Sequence, residues 1–297
     1  MTIKKWIAKH THSLVGKTVA LTGSTGGLGL ALSLHLVRLG ASLILLDRNP
    51  ARSEKNRERL LSLVPMASVS CMTLDLEDME SVQRVTDALL VDPPDVFIHN
   101  AGAYSIPRKT CTTGYDNVFQ INFVSPYYII RSLLPALRAK GGHVMVVGSI
   151  AHRYAKTDAE DIDFHTRKRA SLVYGNAKRY LMFSLYALFA NEKEATLAVT
   201  HPGITATNIT AHYPKVIYAL IKYPMRVIFM RPRRASLSLL AGAFEKTAEN
   251  EWIGPRFFDI WGLPRRRRLR SVDGEEARAI AARADVLYAK LAQKEPF

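Results

Sequence analysis

Tyr174 and Lys178 stand four residues apart in Tyr174-Gly175-Asn176-Ala177-Lys178, inside a run, Leu172–Ala190, whose pattern is helical. Both therefore fall on one face of one helix. A free phenol titrates near pH ~10 and is a poor base at neutral pH. An ammonium one turn away favours the phenolate and is expected to lower that value. Such a phenol can take a proton from an alcohol as hydride leaves, or return one to a ketone. The spacing alone also describes a helix-edge tyrosine beside an exposed lysine. Its place after the fifth strand gives it weight, because ligands of open α/β sheets bind at the carboxyl ends of the strands.

A second feature is the turn Thr22-Gly23-Ser24-Thr25-Gly26-Gly27-Leu28-Gly29, between the first strand and the first helix. Glycines allow a tight turn and bring backbone N–H groups close to a pyrophosphate, and the helix N-terminus adds its positive end. The spacing Gly23-x3-Gly27-x-Gly29 departs from the common dinucleotide fingerprint, and a glycine-rich turn alone is weak evidence. Asp47 ends the second strand 24 residues after Gly23, where a carboxylate can accept the hydroxyls of an adenosine ribose. Taken alone, Asp47-Arg48-Asn49-Pro50 reads as a polar helix-capping turn; beside the glycines it reads as part of a cofactor site.

The elements that must position these groups alternate. Strands are expected at Lys17–Thr22, Ser42–Leu46, Ser68–Thr73, Asp95–His99, His143–Val147 and Thr196–Thr200. Helices are expected at Gly27–Leu39, from Pro50 onward, and at Met79–Leu90, Tyr115–Arg138 and Leu172–Ala190. Alternation at this spacing implies right-handed crossovers and a Rossmann-type, doubly wound parallel α/β sheet of about seven strands with helices on both faces. Later come a helix at Ala235–Lys246, a short strand at Phe257–Ile260 and a terminal helix at Glu275–Gln293. No linker or repeat divides the 297 residues, so one domain is expected. Within it, residues 1–16 read as an N-terminal extension, 204–231 as a substrate lid and 264–297 as a basic C-terminal segment and helix.

Composition narrows the classes. Two cysteines, Cys71 and Cys111, suggest neither a disulfide framework nor a metal cluster, and no metal is expected. The N-terminus has basic residues with no apolar stretch behind them, which argues against a cleaved signal, and the apolar stretch Val216 to Met230 is too interrupted to span a membrane. A cytoplasmic location, with membrane-peripheral contact, is the expectation. The net charge of +15 collects in Arg231, Arg233, Arg234 and Arg265-Arg266-Arg267-Arg268-Leu269-Arg270. A solvated cationic face accounts for it, since no nucleic-acid-binding motif accompanies the charge.

Five motifs in order carry a family resemblance: Thr22–Gly29, Asn100-Ala101-Gly102, Ser149, Tyr174 with Lys178, and Pro202-Gly203. The chain resembles the short-chain dehydrogenase/reductase family over about residues 15–260. The 25-residue interval from Ser149 to Tyr174, Asp161-Ile162-Asp163-Phe164 within it, and His201-Pro202-Gly203 followed by Thr207 look most like its retinol-dehydrogenase-like group. The resemblance implies that Ser149 holds the substrate oxygen near Tyr174, that Lys178 also holds the nicotinamide ribose, and that Asn122 anchors a relay water. It places Asn100, Ala101 and Gly102 on the adenosine side, Asp75 and Leu76 at the adenine, and Pro202, Gly203 and Thr207 over the nicotinamide. Three residues depart from the pattern: His99 for an Asn, Gly148 for a Ser, and Ser125 for a Gly. All lie beside the reacting groups, and His99 reads as structural.

The expected function is therefore transfer of hydride between NAD or NADP and a lipophilic secondary alcohol or ketone, steroid-like or retinoid-like. NAD is favoured because Asp47 should repel a 2′-phosphate, although Arg48 could pair with one. Apolar and aromatic residues in His212–Tyr223, flanked by Lys215 and Lys222, point to a large lipophilic substrate near a membrane surface. The alternatives are a non-catalytic cofactor-binding protein and a peripheral membrane-binding protein on the same fold; nucleotide-sugar epimerase or dehydratase chemistry fits the chain length less well. The partners expected are the small-molecule substrate and no specific nucleic acid, with weak membrane contact and a homodimer left open.

Overall fold

Short apolar runs become strands because strands buried on both faces need no polar alternation, and seven of them pair in parallel at the centre of the molecule. The structure is a computed structural model and describes residues 1–154, 156–203, 230–269 and 273–293. The strands are β1 Thr18–Thr22, β2 Ser42–Asp47, β3 Val69–Thr73, β4 Val96–His99, β5 His143–Val147, β6 Thr196–Thr200, β7 Glu251–Phe257 and β8 Trp261–Arg268. They form one sheet in the order β3-β2-β1-β4-β5-β6-β7-β8, with β8 antiparallel to β7. The order reverses between β1 and β4, where Thr22 lies opposite His99. A crevice opens at such a reversal.

Helices cover both faces. On one side α4 (Met79–Val91), α6 (Ser125–Lys140), α7 (Ala170–Phe189) and α9 (Gly274–Ala292) enclose a core that includes Phe119, Phe123, Tyr127, Tyr180 and Leu287. On the other, α1 (Ile3–His10), α2 (Gly27–Arg38), α3 (Pro50–Leu63) and α8 (Pro232–Gly242) bury Trp6, Leu32, Leu36, Leu60, Leu237 and Leu240. The N-terminal extension is thus partly helical and packs by Trp6. Both cysteines are free thiols, Cys71 on β3.

Two expectations change. The helix expected from Tyr115 begins at Asn117 as a short turn, α5 (Asn117–Phe119), then widens into a π turn, Gln120–Val124, before α6. Asn122 lies in that widened turn. Of the strand expected at Phe257–Ile260, Phe257 ends β7 and residues 258–260 form the turn into β8. Phe258 (φ 53°) and Asp259 (φ 59°) adopt the left-handed pair that a tight hairpin requires. Pro255 and Pro264 face each other across this hairpin, and arginines fill β8, so neither strand shows the usual alternation. The run Arg265–Arg268 therefore lies on an edge strand, where charge discourages pairing with another chain. The proposed lid, apart from Met230 and Arg231, lies outside the described residues.

β7 closes the sheet through Trp252, which is fully buried with its ring stacked on His201 (4.9 Å) and edge-on to His152 (5.6 Å). Trp252→Ala should lower the free energy of unfolding by about 3–5 kcal/mol, the usual result of emptying a large core site. Trp252→Phe should cost less, because it also removes an indole N–H that has no hydrogen-bond partner. Denaturant titration of the three proteins checks the order; equal stabilities would show that β7 does not close the core.

Candidate active site

The carboxyl ends of β1, β2, β4, β5 and β6 carry the residues singled out in the sequence. β1 ends at Thr22, and Gly23 (φ 70°) turns the chain where a Cβ would stand 2.8 Å from the Ala101 backbone. α2 then starts directly against this turn: a Cβ on Gly29 would meet the Gly23 carbonyl at 2.1 Å. Gly26, the N-cap, and Gly27 are exposed, and no side chain caps the first turn of α2. This is a helix start with uncapped N–H groups and room for close backbone approach, which fits a pyrophosphate. Leu28, partly buried, packs beneath it.

Asp47 does not face outward as expected for a ribose acceptor. It is 3% exposed, and its carboxylate accepts four hydrogen bonds: Ser24 Oγ (2.5 Å), Ser53 Oγ (3.0 Å), Thr25 N (3.2 Å) and Thr25 Oγ1 (3.3 Å). Ser24 is fully buried and is also held by Asn56 Nδ2. The loop's own donors thus satisfy the acid that sequence spacing assigned to the cofactor. The neighbouring Arg48 side chain is 66% exposed and lies 3.7 Å from Glu77. Asp75 receives the Glu77 N–H (3.0 Å), while Leu76 is buried and its carbonyl takes the Ser125 hydroxyl (2.7 Å). Ser125, one of the three departures, thus ties α6 to the loop after β3.

The Asn100 turn braces the glycine loop. Asn100 Nδ2 donates to the carbonyls of Thr22 (3.1 Å) and Gly23 (2.9 Å), and Thr22 Oγ1 accepts the N–H groups of Asn100 and Ala101, each at 3.0 Å. His99 Nδ1 lies 3.1 Å from the same hydroxyl. Burial and the nearby Lys178 charge push the His99 imidazole well below its usual range, so it is a neutral structural group.

Ser149, Tyr174, Lys178 and Asn122 come together where β5, α7 and the π turn meet. Ser149 follows β5 and caps a 3₁₀ turn, Ile150–Arg153, its hydroxyl accepting the Ala151 N–H (3.2 Å) and standing near enough to the Tyr174 phenol to favour its ionised form. Lys178 is 2% exposed; its ammonium donates to the Val147 carbonyl (2.9 Å) and sits 5.7 Å from the centre of the Tyr174 ring. Asn122 Nδ2 donates to Ala103 and Val118, each at 2.8 Å, and its buried Oδ1 has no partner. Gly102 is required here, since a Cβ would lie 2.9 Å from Asn122 Oδ1 and 3.7 Å from Lys178 Nζ. Pro202 and Gly203 (φ 81°) leave β6 at the same edge; Thr207 lies outside the described residues.

Other residues of the site were not anticipated. Tyr104 meets Tyr174 edge-on at 5.3 Å. Gly175 lets α7 touch the 3₁₀ turn, where a Cβ would clash with the Ala151 carbonyl at 2.3 Å. A glycine inside a strongly helical run was the available signal, because it weakens the helix without a local reason. Gly148 is small because Met182 Sδ fills the space a side chain would need, 2.8 Å away. His152 Nδ1 contacts the Ser149 carbonyl (2.6 Å), Arg179 donates to the His152 carbonyl (2.7 Å), and Glu276 of α9 pairs with Arg179. Nothing in the linear sequence connects Glu276 with Ser149. A recess of about 420 Å³ opens beside Tyr104, lined also by Tyr154, Arg169, Ser171 and Leu172.

The electrostatics reverse one expectation. Burial pushes the Tyr174 phenol up to about 12, partly offset by the Ser149 hydroxyl, and burial pushes Lys178 down to about 7. The ammonium is directed to the Val147 carbonyl, so desolvation outweighs its pull on the phenol. Lys178 has a folded value far below its unfolded one near ~10.4, so between these limits the unfolded chain binds more protons and stability rises with pH. The burden is greatest below about pH 7. Lys178→Met should therefore gain stability over the wild type near pH 6 and lose that advantage by about pH 10, as followed by thermal melts across the range without cofactor. A pH-independent difference would show that the ammonium is not buried.

The comparisons agree with this geometry. Residues 17–159 match the family model for short chain dehydrogenase. A short chain dehydrogenase, macD, of Penicillium terrestre is 30% identical over 229 residues, covering 68% of this chain and 69% of that protein. Retinol dehydrogenase 14 of Homo sapiens is 27% identical over 263 residues, 82% of this chain and 78% of its own. A crystal structure of an uncharacterized protein from Mycobacterium Paratuberculosis shares the fold at a TM-score of 0.70 and 23% identity, covering 98% of both chains. With its glycine loop, its doubly wound sheet and these relatives, the chain belongs to the short-chain dehydrogenase/reductase family, near its retinol-dehydrogenase-like group.

Proposed function

We propose that this chain is an NADP-dependent oxidoreductase that interconverts a bulky lipophilic secondary alcohol and its ketone, steroid-like or retinoid-like, with Tyr174 as the acid/base. The observation that carries the reading is the convergence of Ser149, Tyr174 and a buried Lys178, whose ammonium donates to Val147 and lies 5.7 Å from the Tyr174 ring centre. A bound nicotinamide dinucleotide supplies or accepts the hydride. Gly26, Gly27 and the first turn of α2 would hold its pyrophosphate, Asn100, Ala101 and Gly102 would lie along its adenosine half, and Lys178, Pro202 and Gly203 would stand at its nicotinamide half.

The Ser149 hydroxyl orients the substrate oxygen toward Tyr174, whose phenol donates a proton in reduction and accepts one in oxidation. A phenol held up near 12 is protonated at neutral pH, which suits it to donate to a ketone. Lys178 Nζ, poised near 7, can give or take the replacement proton, and the unpartnered Asn122 Oδ1 beside it can hold the group that continues the relay. The relative retinol dehydrogenase 14, by its name, supports a large lipophilic alcohol, and the recess beside Tyr104 offers a place for it next to Tyr174.

The cofactor proposal differs from the expectation of NAD. Asp47 is occupied by Ser24, Thr25 and Ser53, whereas Arg48, 66% exposed, can exchange its long 3.7 Å ion pair with Glu77 for a 2′-phosphate. Arg48→Ala should weaken NADP by about tenfold or more while leaving NAD within about twofold, in fluorescence titrations of both cofactors. Tighter NAD binding by the unaltered protein would refute the preference.

The catalytic assignment is tested by Tyr174→Phe, which keeps the aromatic contact with Tyr104 but removes the exchangeable proton. Turnover should fall at least about a thousandfold with cofactor affinity nearly unchanged, a barrier increase of about 4 kcal/mol. A residual rate of a tenth or more would require a different acid/base.

A further inference from the structure

The turn joining β7 to β8 holds three large apolar rings in water. Phe258 is 82% exposed, Trp261 51% and Phe257 44%, and the Phe257 and Trp261 ring centres are 4.9 Å apart. The turn is fixed in this form. Asp259, next to Phe258, is held by Arg267 (3.2 Å) and Arg153 (3.6 Å), and its carbonyl lies 3.1 Å from His201 Nε2. Phe258 keeps φ at 53°, a conformation that bulky residues rarely adopt, at the corner of this turn. Contiguous exposed aromatics on a soluble-type surface mark a contact site.

Charge indicates what the contact meets. Arg256 lies over the Phe257 ring at 5.7 Å, and Arg265, Arg266 and Arg268 are exposed along β8. Arg266 pairs with Glu245 (3.3 Å), while Arg265 and Arg268 form no ion pair among the described residues. Aromatic rings at a tip with unpaired arginines behind them match the layered chemistry of an anionic bilayer, where rings lodge at the headgroup boundary and guanidinium groups meet phosphates. A nucleic acid would call for stacking surfaces along a charged groove, and here the rings sit on a turn.

We propose that the β7–β8 hairpin docks this protein onto an anionic membrane surface, with Phe258 and Trp261 entering the interface and Arg256 and Arg265, the exposed arginines nearest the turn, bound to lipid phosphates. The hairpin also lies against the chain leaving β6: a Cβ on Gly203 would meet the Ile260 carbonyl at 2.3 Å. Docking would thus bring the carboxyl edge of the sheet close to the bilayer, where a lipophilic alcohol partitions. That last consequence rests on the proposed activity; membrane binding itself does not.

Co-sedimentation of the full chain with vesicles of phosphatidylcholine alone, or mixed with phosphatidylserine, tests the surface. Binding should require phosphatidylserine and weaken at about 1 M salt. Trp6 and Trp252 are buried, so emission from Trp261 should shift to the blue on the mixed vesicles and be quenched by brominated lipid. Phe258→Ser with Trp261→Ser, and separately Arg256→Ser with Arg265→Ser, should each lower partitioning by about tenfold, leaving turnover of a water-soluble ketone unchanged. Equal recovery on both vesicle types, or variants that bind as well as the parent, would overturn the proposal. So would self-association, or binding to an oligonucleotide, that Phe258→Ser abolishes while vesicles are ignored. A protein that binds vesicles yet reduces no ketone keeps the docking surface and loses the enzymatic reading; turnover in detergent without vesicle binding does the reverse.

Discussion

An ammonium group taken out of water must find other dipoles, and Lys178 has the Val147 carbonyl in place of its hydration shell. Several features of the fold keep that arrangement possible. β5 must end where its last carbonyl can accept, α7 must lie close enough to deliver the lysine, and Gly102 must leave room for both the ammonium and Asn122. The π turn sets Asn122 in position by widening the helix at the one place where its side chain reaches Ala103 and Val118. Desolvation brings Lys178 down to about 7, so the group can exchange a proton near neutrality without leaving the core.

The glycine loop obeys a different constraint. Glycines that permit close approach also permit collapse, and polar groups from three strand ends hold the loop open. Asp47 gathers Ser24 and Thr25 from below, Thr22 fixes Asn100 and Ala101, and Asn100 returns two hydrogen bonds to Thr22 and Gly23. These bonds are short-range and buried, so each is worth more than its exposed equivalent. The outer rim, Gly26 and Gly27, is left exposed with uncapped N–H groups at the start of α2.

The C-terminal third steadies the other side of the site. Trp252 on β7 sandwiches between His152 and His201, both held near 4 by burial and hence neutral, while Glu276 on α9 grips Arg179 and, through it, the turn that begins at Ser149. Elements more than 70 residues beyond Tyr174 thereby set the position of a hydroxyl that stands beside it. The same third carries the hairpin whose aromatic tip and arginines face solvent, so support of the site and contact with the surroundings are built from one pair of strands.

The alternation of apolar and amphipathic runs determined the doubly wound sheet, because burial on two faces and burial on one leave different periodicities. Local rules likewise placed the glycine turn, and they put Tyr174 and Lys178 on one helical face. Where a rule depends on neighbours distant in the chain, the linear reading was incomplete. Asp47 has the right spacing for a ribose, yet the competing donors Ser24, Thr25 and Ser53 are known only once the loop is folded. Lys178 was expected to acidify Tyr174, but solvent exclusion by both helices and strands reversed the balance. The β7–β8 turn was mistaken for a strand because proline and arginine hid its period, and the exposure of Phe258 is a property of the folded surface. Sequence by itself determined which residues can form the site, since periodicity and spacing act within one element. Tertiary structure decided the burial, partners and charge of each, since desolvation and hydrogen-bond competition depend on every element that surrounds it.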